Sequence, residues 1–271
     1  MTAAETYEVV IVKYGTRQTT RSEVFLNYPV YGEPDGPIGM DYFFWVARNE
    51  TRTVVIDTGF SRSGGSQRNR TMLVDPLECF EALGLEVADE PPVVVTHGHY
   101  DHIGNLGHFA RSPVIVARRE VEFWAGPHGR RAQFHHSVED TELADLQAAV
   151  DSGRAVLFDD DYTVADGIEV RRVGGHTPGQ SVVTVRTSQG VVLLASDAVH
   201  YYEELDREMP FVSVANLVDM YAGFTTVNAM LAGGEVDHLV TGHDPSTFSL
   251  LDATPGPIPS LSMIIGQRVR D

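Results

Sequence analysis

Three histidines and an aspartate fall within six consecutive positions, His97, His99, Asp101 and His102, directly behind the apolar run Val93-Val94-Val95. An apolar triplet between Pro92 and Thr96 reads as a short buried strand, so this polar loop must open at the edge of a sheet. Packing alone does not explain the cluster, because buried imidazole and carboxylate groups cost free energy unless they are paired or bound to a metal. Both groups suit zinc, iron, manganese or cobalt. Alternate positions 97, 99 and 101 let side chains converge from two sides of one loop. That geometry can serve two ions rather than one.

Two ions need further ligands, and the chain offers three, each just after a strand. His176 sits in Gly174-Gly175-His176-Thr177-Pro178-Gly179, behind the strand pattern Ile168 to Val173. Asp197 follows Val191 to Ala195, and His243 follows His238 to Val240 in Thr241-Gly242-His243-Asp244. Small neighbours let the backbone bend sharply into a site.

The remaining pattern predicts a layered α/β chain. Glu8 to Tyr14, Asp41 to Ala47, Thr53 to Ile56, Pro113 to Ala117, Ala155 to Phe158 and Ser181 to Val185 read as strands. Pro76 opens a short helix with Leu77, Phe80 and Leu83 on one face, and Arg118 to Ala125 reads as another. Ser137-Val138-Glu139-Asp140 resembles a capping box for a helix running to about Val150. Leu217, Met220, Tyr221, Phe224 and Leu231 mark the core-facing stripe of a further helix. Ser61 to Gly65 and Tyr28 to Pro37 read as loops, and a Pro-rich tail follows from Thr254. Thr53-Val54-Val55-Ile56-Asp57 and Val191 to Asp197 echo each other, both being apolar strands that end on an acid. Two stacked sheets with helices outside fit this order, as a single domain over 1–271.

Charge narrows the partners. Twenty basic against 38 acidic residues give a formal net charge of −18, a field that repels phosphate backbones and argues against nucleic acid. A single cysteine, Cys79, rules out an intrachain disulfide and reads as a small buried residue. No basic segment followed by an apolar stretch opens the chain, and apolar runs are too short for a span of about 20 residues. The expectation is a cytoplasmic protein with a small-molecule substrate, no membrane partner, and a homodimer as one option.

The joint pattern His97-x-His99-x-Asp101-His102, His176 in Gly-His-Thr-Pro-Gly, Asp197 and Gly242-His243 resembles the metallo-β-lactamase superfamily. Ile56-Asp57-Thr58-Gly59 matches a supporting motif of that fold. The resemblance implies a four-layer αββα sandwich of two mixed sheets with a dinuclear site at one edge. It further implies one metal on His97, His99 and His176, a second on Asp101, His102 and His243, Asp197 bridging, and Asp57 orienting a ligand histidine. Zinc is the expected ion, with manganese, iron or cobalt as options.

Departures from relatives sharpen this. Asp197 stands where β-lactamases proper carry cysteine, and His99 where flavodiiron proteins carry glutamate. Only Pro245 to Asp271 follows the last ligand, too little for the C-terminal domain typical of glyoxalase II. Ser196 to Tyr202 and Met209-Pro210-Phe211 look like the N-acyl homoserine lactone lactonases. Those enzymes usually place a substrate-contacting tyrosine three residues after the bridging aspartate, where this chain has His200, followed by Tyr201. The resemblance implies attack of a metal-bridging hydroxide on a lactone or similar cyclic ester. Asp101 would shuttle the proton, and His200 or Tyr201 would donate to the oxyanion. A thioester, amide or linear ester is the alternative substrate, and a mononuclear iron dioxygenase the alternative chemistry. His128, His135 and His136, grouped around Phe134, read either as a solvated loop or as a flap over the substrate. His108 and His238 read as structural, and Tyr28 and Tyr31 as packed surface or pocket mouth.

Overall fold

Strand alternation fixes the layers. A computed structural model describes residues 5–267. In β1 (Glu8–Thr20), Val9, Val10, Ile11 and Val12 are all fully buried. Successive side chains leave opposite faces of a strand, so both faces of this one are covered. Val9 and Ile11 pack with Phe43, Trp45 and Val54 against Val183, Val185, Val192 and Leu194 of a second sheet. Val10 and Val12 point the other way, among Phe44, Phe80, Phe109 and Leu146.

The larger sheet continues with β2 (Pro37–Arg48), β3 (Thr53–Ile56), β4 (Thr71–Met72), β5 (Val93–Val95), β6 (Val114–Ala117) and β7 (Ala155–Phe158). The smaller one comprises β8 (Asp161–Ala165), β9 (Ile168–Arg172), β10 (Ser181–Thr187), β11 (Gly190–Ser196) and β12 (His238–Thr241). Two short strands, β13 (Thr254–Pro255) and β14 (Ser262–Ile265), return to extend the larger sheet beside β1. Its order is β13-β14-β1-β2-β3-β5-β6-β7, with β4 on β1, and the smaller is β12-β11-β10-β9-β8. Both are mixed: β3, β5, β6 and β7 run parallel, as do β11 and β12, and the other pairs are antiparallel. Helix Leu217–Ala232 covers the smaller sheet, with Met220, Phe224, Val227 and Met230 on Val182, Leu193 and Ala195. Helices Pro76–Ala82 and Asp140–Asp151 supply Phe80, Leu146 and Ala149 to the outer face of the larger one. The order of layers is therefore helix, sheet, sheet, helix, as the resemblance implied.

Several local expectations are corrected. Ser61 to Gly65 is not a loop: Arg62–Gln67 is helical, and the Ser61 hydroxyl accepts from the Gly64 N–H as its cap. The capping box at Ser137 does not form, because its hydroxyl donates to the Phe134 carbonyl, and the helix begins at Asp140 with no side-chain cap. In helix Leu217–Ala232, Leu217 and Tyr221 are 40% and 38% exposed, so the core stripe is Met220, Phe224, Val227 and Met230. Leu77 is also exposed, and Cys79 takes its place in the core. Strand β8 alternates polar and half-buried residues on the sheet's edge and gave no apolar signal. No helix among the described residues is long and apolar enough to cross a membrane.

Candidate metal centre

The charged residues of interest leave the C-terminal ends of strands. Asp57 follows β3, His97 follows β5 within two residues, Asp197 follows β11 and His243 follows β12. Asp57 and Ser196 adopt left-handed φ angles of 58° and 47°, which side chains other than glycine avoid without compensation. Hydrogen bonds supply that compensation. Asp57 accepts from the Thr96 N–H at 2.8 Å and its hydroxyl at 2.7 Å, and that hydroxyl meets Ser196 Oγ at 2.8 Å. The chain is thereby turned at both strand ends and tied across the two sheets. The sequence echo between residues 53–57 and 191–197 is this pairing of strand ends.

Two groups of side chains gather there. His97, His99, His176 and Asp197 each bring one ligand atom to within 4.8 Å of the others, and so do Asp101, His102 and His243; all seven are buried. Asp197 joins the groups. Its Oδ2 lies 3.3 Å from His176 Nε2 and 3.8 Å from His97 Nε2, and its Oδ1 lies 3.2 Å from Nε2 of both His102 and His243. Asp101 Oδ2 stands 3.9 Å from His102 Nε2 and 3.8 Å from His243 Nε2. Nδ1 of His99 and Nε2 of His176 are 2.9 Å apart, so their lone pairs address one point.

The outward nitrogens fix the tautomers. Nδ1 of His176 lies 2.7 Å from the Ser213 carbonyl, Nδ1 of His243 2.7 Å from the Asp41 carbonyl, and Nδ1 of His102 2.7 Å from Asp57 Oδ2. These partners only accept, so Nδ1 carries the proton; a neutral ring then turns a bare Nε2 inward. Among the described residues, Nε2 of His97, His102 and His243 and Oδ1 of Asp197 are buried without a well-formed hydrogen bond. A buried unpaired polar group costs about 1–3 kcal/mol, and four meeting at one place are what a cation would satisfy. The donor set fits borderline divalent ions.

Electrostatics agree. Burial pushes His97 and His99 well below the ordinary histidine range and His176 down to about 3, which keeps these rings in the neutral, ligating form. Burial alone would raise the Asp197 carboxyl, but His243, His200, His102 and His97 around it bring it well below the usual range. His102 is the exception: burial opposes its charge, yet Asp197, Asp57 and Asp101 hold it well above its ordinary value, so a bound cation must displace the proton on its Nε2.

The expected catalytic residues separate. Asp101 lines the cleft above the cluster. His200 does not: it is fully buried, with Nε2 3.1 Å from Asp197 Oδ2, Nδ1 3.3 Å from Glu204, and its ring stacked on Phe211 at 3.8 Å. Phe211, not His200, faces the cavity. Tyr201 points into the core, where its hydroxyl donates to the Gly39 carbonyl and its ring packs on Phe25. Neither residue lines the cleft: the Tyr201 hydroxyl is taken up inside the fold, and His200 Nε2 is buried behind Phe211 against Asp197. Of the grouped histidines, only His136 lines the cleft, with Phe134 in the adjoining lobe; His135 pairs with Asp140. His108 stacks on Phe80, His238 bonds the Gln189 carbonyl, and Tyr28 is buried beside Arg21.

Sequence reasoning missed Glu120. This fully buried carboxylate accepts four hydrogen bonds: from Gly98 N–H and Trp124 Nε1 at 2.7 Å each, Thr177 Oγ1 at 2.7 Å and Gly179 N–H at 2.9 Å. It clamps the His97–His99 loop to the His176 loop. Two glycines make the approach possible, because a Cβ on Gly98 would strike the Trp124 indole and one on Gly179 the Glu120 backbone. Nothing local in Arg118-Arg119-Glu120-Val121 marks it; only the fold brings its partners together.

Above the cluster lies a cleft of about 200 Å³ walled by Tyr42, Tyr100, Phe211, Val212 and three arginines, 17, 68 and 70. A lobe of about 120 Å³ adjoins it, sharing His99, His136 and His176 and lined by Phe123, Trp124, Phe134, Val212 and Val214.

The metallo-beta-lactamase superfamily matches residues 40–246, well over half of the chain and all seven grouped residues. The chain belongs to the metallo-β-lactamase superfamily. Within it, the chain is related to the N-acyl homoserine lactonases and carries two groups of His and Asp able to hold metal. An N-acyl homoserine lactonase of a Bacillus species is 29% identical over 167 residues, covering 61% of this chain and 57% of that protein. The match thus spans just over half of that relative's length. A quorum-quenching N-acyl homoserine lactone lactonase structure superposes with a TM-score of 0.75 at 21% identity, over 90% of this chain and 95% of that one. AidC, a dizinc quorum-quenching lactonase, gives 0.70 at 16% identity, over 99% and 97%. At these identities the likeness is one of fold.

Proposed function

We propose that the chain hydrolyses a lactone or similar small cyclic ester with two divalent ions, zinc in the first place. The observation that carries this is Asp197, whose two oxygens each face a different histidine group. His97, His99 and His176 would hold one ion, Asp101, His102 and His243 the other, and Asp197 would give one oxygen to each. Such ions, when bound, polarise an acyl carbonyl and bring the pKa of water near neutrality. Kinship with lactonases favours the ring ester, and the aromatic side of the adjoining lobe, Phe123, Trp124 and Phe134, offers a surface for a short acyl chain.

The chain's own part is positional and acid–base. Glu120 and Asp57 hold the ligand loops, so the inward nitrogens need no reorganisation. Phe211, Val212 and Trp124 keep bulk water from the floor. Hydrolysis adds a water oxygen to the acyl carbon, breaks the ring C–O bond and requires a proton on the departing oxygen. The Asp101 carboxylate, lining the cleft, is placed to take the proton that the attacking water loses and to pass it to the departing oxygen. Tyr42 and Tyr100 line the cleft; the Tyr42 hydroxyl donates to the Met40 sulfur, whereas the Tyr100 hydroxyl accepts from Arg70 and keeps its own O–H for the donor role expected of His200 and Tyr201.

Metal analysis of the purified protein, followed by proton-release assays on N-acyl homoserine lactones, a linear ester and a thioester, tests this. Two zinc or similar ions per chain, with lactones the fastest class, is the expected result. One iron per chain, or thioester turnover without lactone turnover, would overturn it.

A further inference from the structure

Arg70 lies at the mouth of the cleft, half-buried, and is held by neutral groups. Its Nε donates to the Tyr100 hydroxyl at 2.9 Å, its Nη1 to the Arg68 carbonyl at 2.8 Å, and its guanidinium lies 5.9 Å over the Tyr42 ring. Tyr42 in turn stands edge-on to His243, with ring centroids 5.0 Å apart, so Arg70 is one aromatic ring away from the metal-binding group.

Its neighbours differ in one respect. Arg17 pairs with Glu23 and Arg68 with Glu139. Among the described residues, Arg70 forms no ion pair within 4.0 Å, the Asp101 carboxylate acting on it only from farther off, and no acceptor engages its Nη2. A guanidinium has five N–H donors in a planar fork matched to a carboxylate or phosphate, and here most of them are unspent. A charge of −18 makes most of this surface repel an anion; at the cleft Arg17 and Arg68 are neutralised by their partners, and Arg70 is the arginine there without an ion-pair partner.

We propose that the substrate carries an anionic group, a carboxylate in the first place, beside the ester that is cleaved, and that Arg70 is the residue that selects it. This rests on the hydrolase reading above and deepens it. The aromatic side of the lobe and Arg70 then sort a substrate by its two ends, with the scissile ester over the metal groups between them.

The test uses matched pairs on the metal-loaded protein. The first pair is γ-valerolactone and the same ring with a carboxylate in place of the methyl group. The second, which needs no turnover, is butyrate against glutarate in a calorimetric titration, because the two differ by one terminal carboxylate. Wild type should favour the anionic member of each pair about tenfold, the scale of one charge-assisted contact. Arg70→Gln should erase the preference, and Arg70→Lys should restore part of it. Equal binding of butyrate and glutarate by wild type overturns the inference, whatever the variants do. A preference that survives Arg70→Gln overturns the assignment to Arg70. If neither lactone is hydrolysed yet glutarate is preferred through Arg70, the anion site stands and the hydrolase reading fails. If neutral lactones are hydrolysed and no preference exists, the reverse holds.

Discussion

Replacing Glu120 by Gln keeps the shape of the side chain and tests the clamp between the two ligand loops. The carboxylate has two oxygens and four donors. An amide has one oxygen and one NH₂. If the NH₂ turns toward Thr177, that hydroxyl can rotate to accept, but the Gly179 N–H is left facing another donor. If it turns the other way, the Gly98 N–H and the Trp124 indole both lose their partner. The milder arrangement leaves at least one buried backbone N–H unsatisfied, about 1–3 kcal/mol, and weakens the charge assistance of the other bonds. A loss of roughly 2–3 kcal/mol is expected. For a chain of this size it lowers Tm by about 4–12 °C, at about 2–4 °C per kcal/mol. Measurement belongs on metal-free protein, where ligand binding adds nothing to stability. A zinc titration of the same variant should show affinity down by about 10–100-fold, since Gly98 sits between two ligand histidines and Thr177 follows a third. A variant within about 0.5 kcal/mol of wild type, with unchanged zinc affinity, would refute the clamp.

Four further outcomes follow from the geometry. His200→Ala should reduce bound metal as well as turnover, because it strips Asp197 Oδ2 and buried Glu204 of their common partner; full metal content with reduced kcat would return His200 to the substrate. Tyr201→Phe should leave kcat within about twofold of wild type and cost about 1 kcal/mol in denaturant unfolding, the worth of its bond to Gly39. Metal-free protein should be most stable near pH 6.5. Below it, unfolded histidines bind protons that buried His97, His99 and His176 (about 3) refuse, so stability falls with falling pH; above it, the advantage of His102 and His200, the latter raised to about 9 by Asp197 and Glu204 against burial, is lost as the pH rises. A thermal-melt series that rises steadily through pH 8 would contradict this. Finally, a filter or anisotropy titration should find no specific DNA or RNA affinity at physiological salt, and micromolar binding with a steep salt slope would contradict the reading of charge.

What the chain discloses before folding, and what it withholds, divides along a physical line. The ligand residues were legible because His97, Asp197 and His243 sit beside small residues just past apolar strands, His176 lies in a glycine-rich turn, and His99, Asp101 and His102 crowd into the same short loop as His97; local sequence records all of this. His97, His99, Asp101, His102, His176, Asp197 and His243 all converge as their spacing suggested. The layer order was legible too, since continuously apolar strands such as Val9 to Val12 are buried on both faces and need covers on both sides. Residues that act through the loops were not. Glu120 reads as an ordinary helical glutamate, and its role exists only because β6 delivers the start of a helix to the place where two glycines open space for it. Asp41 is similar: its backbone carbonyl, which carries no side-chain signature, orients His243.

His200 and Tyr201 show why an offset counted along the chain is weaker than a ligand pattern. Three residues past Asp197 the backbone has already turned back toward the smaller sheet, with the His243 N–H bonded to the His200 carbonyl. A side chain at that offset reaches the cavity only if nothing lies between, and here Phe211 does. The same Phe211 brings Val212 and Ser213 to the cleft wall, and the Ser213 carbonyl holds His176 from behind. One segment therefore sets both the back of a metal-binding histidine and the shape of the pocket. Substitutions around Phe211 should change metal affinity and substrate preference together, whereas changes at Arg70, which touches none of the metal-binding histidines, should change preference alone.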